Sequence, residues 1–291
     1  MNNLIDIKER INQVGTLQNL VDAYEEIASI RMKKIRNSVL TNRYFQDEIN
    51  LIFDQLRVSY AKEVANLAKK RKGKESITFL PHNGKVVSVL LSANTGLYGD
   101  IMGETFQLFI QEAKKGLSEL TIVGRQGLSQ YLSEGLERPY TYFDLPDFGQ
   151  NKIQLAEIVK HIVQYEEIHV YYGKYRNVIS QDPTELMISA QISLSGKSTE
   201  KPVSYLFEPS LEKILMFFET EIFASLFEQS VIESQLAKFA SRFLAMDRAT
   251  SNIKEEMKKL GFVKMRTIHG SINRKQLNAL SSLYFLGKKM T

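Results

Sequence analysis

All six prolines of this 291-residue chain lie between Pro81 and Pro209, and twelve of its sixteen glycines lie between Gly73 and Gly196. Proline removes a helical amide donor and glycine weakens a helix interior by roughly 1 kcal/mol. Both ends therefore lack the residues that stop helices, and only the middle is punctuated. Near the N-terminus the apolar residues Leu4, Ile7, Ile11, Val14, Leu17, Val21, Tyr24, Ala28, Met32, Ile35 and Val39 alternate in steps of three and four. That spacing is a coiled-coil seam and not the broad face of a globular helix. Ile49, Ile52, Phe53 and Leu56 continue the helical spacing, predicting a helix of ~50 residues, roughly 75–80 Å long at 1.5 Å per residue.

The C-terminal end repeats the pattern with Leu236, Phe239, Phe243, Met246, Ile253, Met257 and Leu260, and Thr250 fills the one polar seam position. Pro209 suits a first helical position with Glu212 in the first turn. If Gly261 and Gly270 are tolerated inside it, a helix from Pro209 to about Leu286 reaches ~115 Å.

Between the rods the period changes. Strands are expected at Lys85–Ser92, Leu120–Val123, Glu167–Tyr172 and Leu186–Leu194, with helices after Gly99 and Gly127 and from Gln154 to Val163. Strands alternating with helices predict an α/β layer with at least partly parallel strands. The expected organisation is 1–74 as an N-terminal helix, 75–208 as an α/β domain and 209–291 as a C-terminal helix. Charge divides at the same places: Lys+Arg against Asp+Glu is 14 to 9, 11 to 16 and 13 to 8 in turn, so the formal +5 is the sum of +5, −5 and +5.

Catalytic signatures are sparse. The absence of cysteine excludes disulfides and thiol chemistry. Gly196-Lys197-Ser198 supplies only the second half of a phosphate loop, because Gln191 stands where the first glycine belongs. The spacing of Gly96, Gly99 and Gly103 misses the dinucleotide fingerprint and reads as a tight strand-to-helix connection. His82, His161, His169 and His269 are scattered, so no metal site and no cofactor is expected. The basic run Lys69–Lys74 has no interleaved aromatics, which favours a solvated linker over a nucleic-acid site. No apolar run approaches the ~20 residues of a membrane span, and the first ten residues carry no signal-like apolar stretch. The expected location is cytoplasmic.

Three blocks then carry a resemblance. Ile7-Lys8-Glu9-Arg10-Ile11 is followed by Val14, Thr16, Ala28 and Met32-Lys33-Lys34. Ser92-Ala-Asn-Thr-Gly96-Leu97-Tyr-Gly99 is joined by Val123-Gly124-Arg125-Gln-Gly127. Glu233 precedes Ser241-Arg242-Phe-Leu-Ala245-Met246-Asp-Arg-Ala249-Thr250-Ser-Asn252. In this order, and over nearly the whole chain, they resemble the γ subunit, or central shaft, of F-type ATP synthases.

The resemblance implies α/β plus a long antiparallel coiled coil, with the N- and C-terminal helices paired and a Rossmann-like α/β domain inserted between them. It implies a non-catalytic subunit turning inside a hexamer of α and β subunits. Its foot would touch an ε-like subunit and, in an ordinary synthase, the membrane c-ring, which places it peripheral to the cell membrane. It involves neither nucleic acid nor insertion of this chain into the bilayer. Met32, Lys33, Lys34, Arg36, Arg242, Met246, Lys254, Ile268 and Ile272 would form the partner interface, the basic ones facing an acidic loop of β. Gly96, Leu97, Gly99, Gly124, Arg125 and Gly127 would form the foot motif. The chain also departs from the family. Asn94-Thr95 replaces Asp-Arg, Ile272-Asn-Arg-Lys-Gln-Leu277 replaces an acidic Ile-Thr-x-Glu-Ile, and Ser282–Leu286 replaces a small Ala/Gly-rich terminus. These changes keep two further readings open, a specialised F-type-like ATPase driving mechanical work such as gliding motility, and a non-motor coiled-coil scaffold.

Overall fold

A computed structural model describes residues 4–59, 76–77, 82–149, 151–189, 192–193 and 210–289. The elements are α1 (Leu4–Ser59), β1 (Ser76–Ile77), β2 (Val86–Leu91), α2 (Ile101–Lys115), β3 (Glu119–Val123), α3 (Arg125–Ser133), β4 (Tyr140–Phe143), α4 (Lys152–Ile162), β5 (Glu167–Tyr175), β6 (Gln181–Ser189), β7 (Ile192–Ser193) and α5 (Leu211–Lys289). Both terminal helices thus form, and Gly15, Gly261 and Gly270 lie inside them with open space where a Cβ would stand. Pro209, the basic run Lys69–Lys74, the Gly196-Lys197-Ser198 half-motif and the expected boundaries at 74 and 208 fall outside the described residues. The described start of α5 is closed by Ser210, whose carbonyl accepts from the Ile214 amide at 3.2 Å and whose hydroxyl accepts from the Lys213 amide at 3.4 Å.

The chain groups into two compact units, Met1–Ile27 with Phe243–Thr291, and Ala28–Arg242. In the first, α1 and α5 run antiparallel, as Arg10 meets Glu256 at 3.4 Å while Thr250 donates to Asp22 at 3.3 Å. Val21, Met246 and Ile253 are buried between the helices, with Val14, Tyr24, Ala245, Ala249 and Met257 packed around them. The seam departs from the sequence expectation at one point: Leu17 is 49% exposed, whereas Gln18 is half-buried. A 3.5-residue repeat from Val14 to Val21 passes through Gln18, so heptad geometry overrides the preference of leucine for burial. Asn252, beside the seam in sequence, is exposed and Thr250 is buried. Beyond Ile268 every residue of α5 through Ser282 is exposed.

In the second unit five strands form a sheet in the order β4-β3-β2-β5-β6. The first four are parallel, and β6 returns antiparallel along the whole length of β5. Alternate residues of β2 and β5 serve opposite faces. Val87, Val89, Ile168, Val170 and Tyr172 pack with Ile158 and Ile162 of α4 and Phe223, Phe227 and Val231 of α5. Leu90 and Tyr171 pack on the other face with Phe106, Phe109 and Ile110 of α2 and Tyr131 of α3. Helices cover both faces, as a parallel sheet requires. The pattern did not reveal β4, which is four residues long and directly follows Arg138-Pro139. β6 begins earlier than expected, taking in Pro183 opposite Gly173, a placement an edge strand tolerates because an outward-facing position needs no amide donor. Within this unit α1 and α5 also meet: Phe53 of α1 packs on Phe218 of α5 at 6.0 Å, and Ser225 donates to Asn42 at 3.4 Å.

Candidate functional site

The glycine block forms the connection from β2 to α2. Its backbone turns tightly, with Leu97 at φ +67 and Gly99 at φ +63, both in the left-handed region that a side chain disfavours. At Gly99 a Cβ would stand 2.5 Å from Ser241 Oγ of α5, so the missing side chain lets the loop lie directly against that helix. The second glycine pair, Gly124 at the N-cap of α3 and Gly127 in its first turn, closes on the same loop. Gly124 is pressed against the backbone of Ala93, and a Cβ at Gly127 would lie 2.7 Å from Ser92 Cβ.

A single carboxylate organises the turn. Asp147 accepts from the Asn94 amide at 2.8 Å, the Thr95 amide at 2.9 Å and the Thr95 hydroxyl at 2.8 Å. Asn94 donates its side-chain amide to Asp144 and to the Leu145 carbonyl, and its Oδ1 accepts from the Arg125 amide at 2.9 Å. The Arg125 guanidinium reaches Asp144 at 3.1 Å on the surface. The two residues that depart from the family pattern, Asn94 and Thr95, are thus bonded to the 144–147 segment.

Every residue of α5 from Val231 to Arg242 is buried, yet six of them are polar or charged. Lys238, 5% exposed, donates to the Ser92 carbonyl at 2.7 Å and stands 3.8 Å from Asp147. Burial pushes its ammonium down to about 8, with Asp147 pulling the other way. Gln235 donates to the carbonyls of Pro146 at 3.2 Å and Gly149 at 3.1 Å. Arg242, 4% exposed, donates to the carbonyls of Leu97 and Gly96 and to the Thr95 hydroxyl. Its guanidinium stacks 3.7 Å from the centre of the Tyr98 ring. Burial pushes the Tyr98 phenol up to about 12. Tyr172 of β5 donates to Glu233 at 3.3 Å, and burial raises its pKa as well. From α1, Arg31 lies over Phe148 at 4.9 Å and Phe239 at 5.3 Å.

The structure therefore brings Gly96, Leu97, Gly99, Gly124, Arg125 and Gly127 together with Arg242. The remaining expected interface residues are spread along the helices. Lys33, Lys34 and Arg36 are exposed on α1, Met32 is half-buried, and Lys34 approaches Phe148 at 5.8 Å. Met246 is buried in the seam, Lys254 is exposed, Ile268 is half-buried and Ile272 is 45% exposed. Lys238, Gln235, Asp147 and Arg31 escaped the sequence reading. The available signal was polar side chains interrupting an apolar run at 231–243, followed in space by the turn Pro146-Asp147-Phe148-Gly149.

The histidines do not converge. His161 meets Thr121 at 3.2 Å, and burial lowers its pKa; His169 meets Glu185 on the sheet edge. Among the described residues no group of three or more His, Asp or Glu could hold a metal ion, and no helix is long and apolar enough to cross a membrane. What the arrangement does chemically is join: the charged groups of α5 bond the two loops at the ends of β2 and β4.

The model of the ATP synthase family matches residues 3–272. A protein named ATP synthase gamma chain from Mesoplasma florum is 26% identical over 266 residues, covering 88% of each chain. Another of that name from a Geobacter species is 23% identical over 295 residues, covering 97% of this chain and 98% of its own. Among solved structures, the central stalk and c-ring structure of the Tetrahymena thermophila mitochondrial ATP synthase contains a chain of the same fold. It is 19% identical, with a TM-score of 0.56, and the match covers 79% of this chain and 99% of that one.

Proposed function

Because the chain belongs to the ATP synthase family, we propose that it is the gamma subunit, the central rotor shaft of a rotary F-type ATPase. In that role it couples nucleotide turnover in an alpha/beta hexamer to rotation and makes no bond itself. The observation that carries this reading is that one family match runs through α1, the α/β unit and α5 as far as residue 272. Two features support it. The terminal helices pair antiparallel along an apolar seam. The stretch of α5 from His269 to Ser282 is exposed, with Leu277 and Leu280 each 63% accessible, so its apolar side chains find no cover among the described residues. Burying such surface in a surrounding partner is favourable by roughly 25 cal/mol per Å².

The proposed partners are the alpha and beta subunits around the coil, an epsilon-like subunit at the α/β unit and, in an ordinary synthase, the c-ring. The complex would then sit peripheral to the cell membrane. Lys33, Arg36 and Lys254, all exposed, are available to acidic partner surfaces, where rim charges guide register more than they add affinity. Co-expression with alpha and beta homologues tests the role: a three to three to one complex is expected whose ATP hydrolysis depends on this chain. A chain that stays monomeric beside them would refute it. The second reading, a shaft whose output is mechanical work such as gliding, is favoured by Arg274 and Lys275 standing where the family carries an acidic stretch. Proton pumping by membranes containing the complex would decide against it.

A further inference from the structure

A shaft must pass torque to its foot, and the kind of contact between them decides whether the foot follows. Apolar packing is non-directional, and a helix held only by it can roll against its neighbours. Hydrogen bonds and ion pairs at fixed positions around a helix resist rolling, because any turn lengthens some of them. On α5 such bonds are concentrated in three turns. Glu233 faces Tyr172 of β5, Gln235 holds the carbonyls of Pro146 and Gly149, Lys238 holds Ser92 and Asp147, and Arg242 holds Thr95, Gly96 and Leu97. At 3.6 residues per turn these four positions spread over roughly 200° of the helix circumference. Lys238 and Asp147 are 5% and 8% exposed. An interior ion pair is seldom the most stabilising filling for its space, and apolar residues of like volume often serve as well or better. A role in fixing geometry accounts for charge at this place.

We propose that Lys238, Asp147 and Arg242 are positioning residues of a keyed joint that fixes the rotational setting of α5 against the sheet, so that torque on the helix reaches the α/β unit without slip. The proposal rests on the shaft role above. Asp147 is the centre of the key: it binds the amides of Asn94 and Thr95 on one side and faces the Lys238 ammonium on the other. Arg242 closes the same loop from one turn further along, where the flat guanidinium lies against Tyr98.

The test uses the assembled complex, with the alpha/beta hexamer fixed to a surface and a bead on the α/β unit. The chain has no cysteine of its own, so a single Leu117→Cys change at a site 79% exposed carries the bead. Lys238→Met combined with Asp147→Asn removes both charges while keeping volume and one carbonyl acceptor for the loop. The double variant is expected to fold with a lowered thermal midpoint, because the Ser92 carbonyl and one amide of the 94–95 turn lose their partners, and to sustain ATP hydrolysis within twofold. Under viscous load its revolutions per ATP should fall at least threefold. Thr95→Val removes the hydroxyl that joins Asp147, Arg242 and Tyr98 and carries the test if the double variant does not fold; it should lower revolutions per ATP at least 1.5-fold at unchanged hydrolysis. Parental revolutions per ATP in the folded variant would show that the pair only stabilises the fold, and would overturn the joint. If hydrolysis does not depend on the parent chain at all, the shaft reading falls and the joint with it.

Discussion

Gly124→Ala should be the most damaging methyl addition in the α/β unit. Gly124 stands at φ +101 and ψ +144, close to a region that essentially only glycine occupies, where strain costs about 1–3 kcal/mol. The added Cβ would also lie 2.9 Å from Ala93 N, 3.0 Å from Ala93 O and 3.0 Å from Ser92 C. These are backbone atoms, so no side chain can rotate away, and β2 must part from the start of α3. Two hydrogen bonds cross that approach, Ser92 to Val123 at 2.8 Å and Gln126 to Ala93 at 2.8 Å, and the Gly124 amide donates to Phe143 of β4 at 3.0 Å. Losing one or two of them at a net ~1 kcal/mol each brings the total to about 4 kcal/mol with the strain. The control is Gly149→Ala, at φ +82 with nothing near the new Cβ, where only the left-handed cost of about 1–2 kcal/mol applies. Amide hydrogen exchange at Ser92 and Gln126 reads the difference directly. Exchange should quicken about a thousandfold in Gly124→Ala, and by a factor of about 30 or less in the control. Equal acceleration in the two variants would refute the close-approach argument.

Met246→Ala should cost about 2 kcal/mol, the low end for a buried methionine because a two-helix seam can partly collapse. Leu17→Ala, at a position 49% exposed, should cost less than about 0.5 kcal/mol; exchange protection of the α1 amides compares the two. Lys85 donates to Glu119 at 2.7 Å and Tyr165 donates to it at 2.6 Å, together holding its carboxyl below the usual range. Stabilisation from this pair is therefore present above the ordinary Glu value and lost as pH falls through the lowered one. Both partners are largely exposed, so Lys85→Ala should cost less than about 0.5 kcal/mol while carboxyl titration by NMR shows Glu119 moving up. Burial pushes Lys238 down to about 8, so between pH 8 and the ordinary lysine value the unfolded chain binds the extra proton and stability rises with pH. The parent should gain up to about 3 kcal/mol relative to Lys238→Met across that window, read from urea midpoints. A flat difference would mean the ammonium is not buried as described.

The helices and the sheet were legible because each repeats a period. Seam spacing located α1 and α5, and the short apolar runs located β2, β3 and β5 before any register was known. β4 was hidden because four residues after a proline offer too little alternation to count. Leu17 and Gln18 show the limit on a helix: two neighbours compete for one seam position, and supercoil geometry decides, not hydrophobicity. Among site residues, the glycines were readable as a motif, and their close approach to Ala93, Ser92 and Ser241 explains why side chains are missing there.

Arg242 shows why the rest was not legible. In the sequence it stands between Lys238 and Asp247-Arg248 on a helix that continues for some 50 residues, and an arginine there reads as a contact for a partner. In the fold it is 4% exposed, with its guanidinium used on Gly96, Leu97, Thr95 and Tyr98. The same chemistry, a planar fork that binds carbonyls and stacks on a ring, serves an outside partner or an inside loop equally well. What selects between them is the loop arriving from almost 150 residues earlier, which no local period records. Asp147 is subject to the same argument, since a turn aspartate normally caps its own turn, whereas this one caps the 94–95 turn and faces a lysine of α5. Long-range polar joints are therefore the part of such a chain that periodicity reads last. In this fold the ones that tie α5 to the loops of the sheet lie on the three helical turns where α5 is buried on every side, the place where a helix passing torque to a sheet would need directional contacts most.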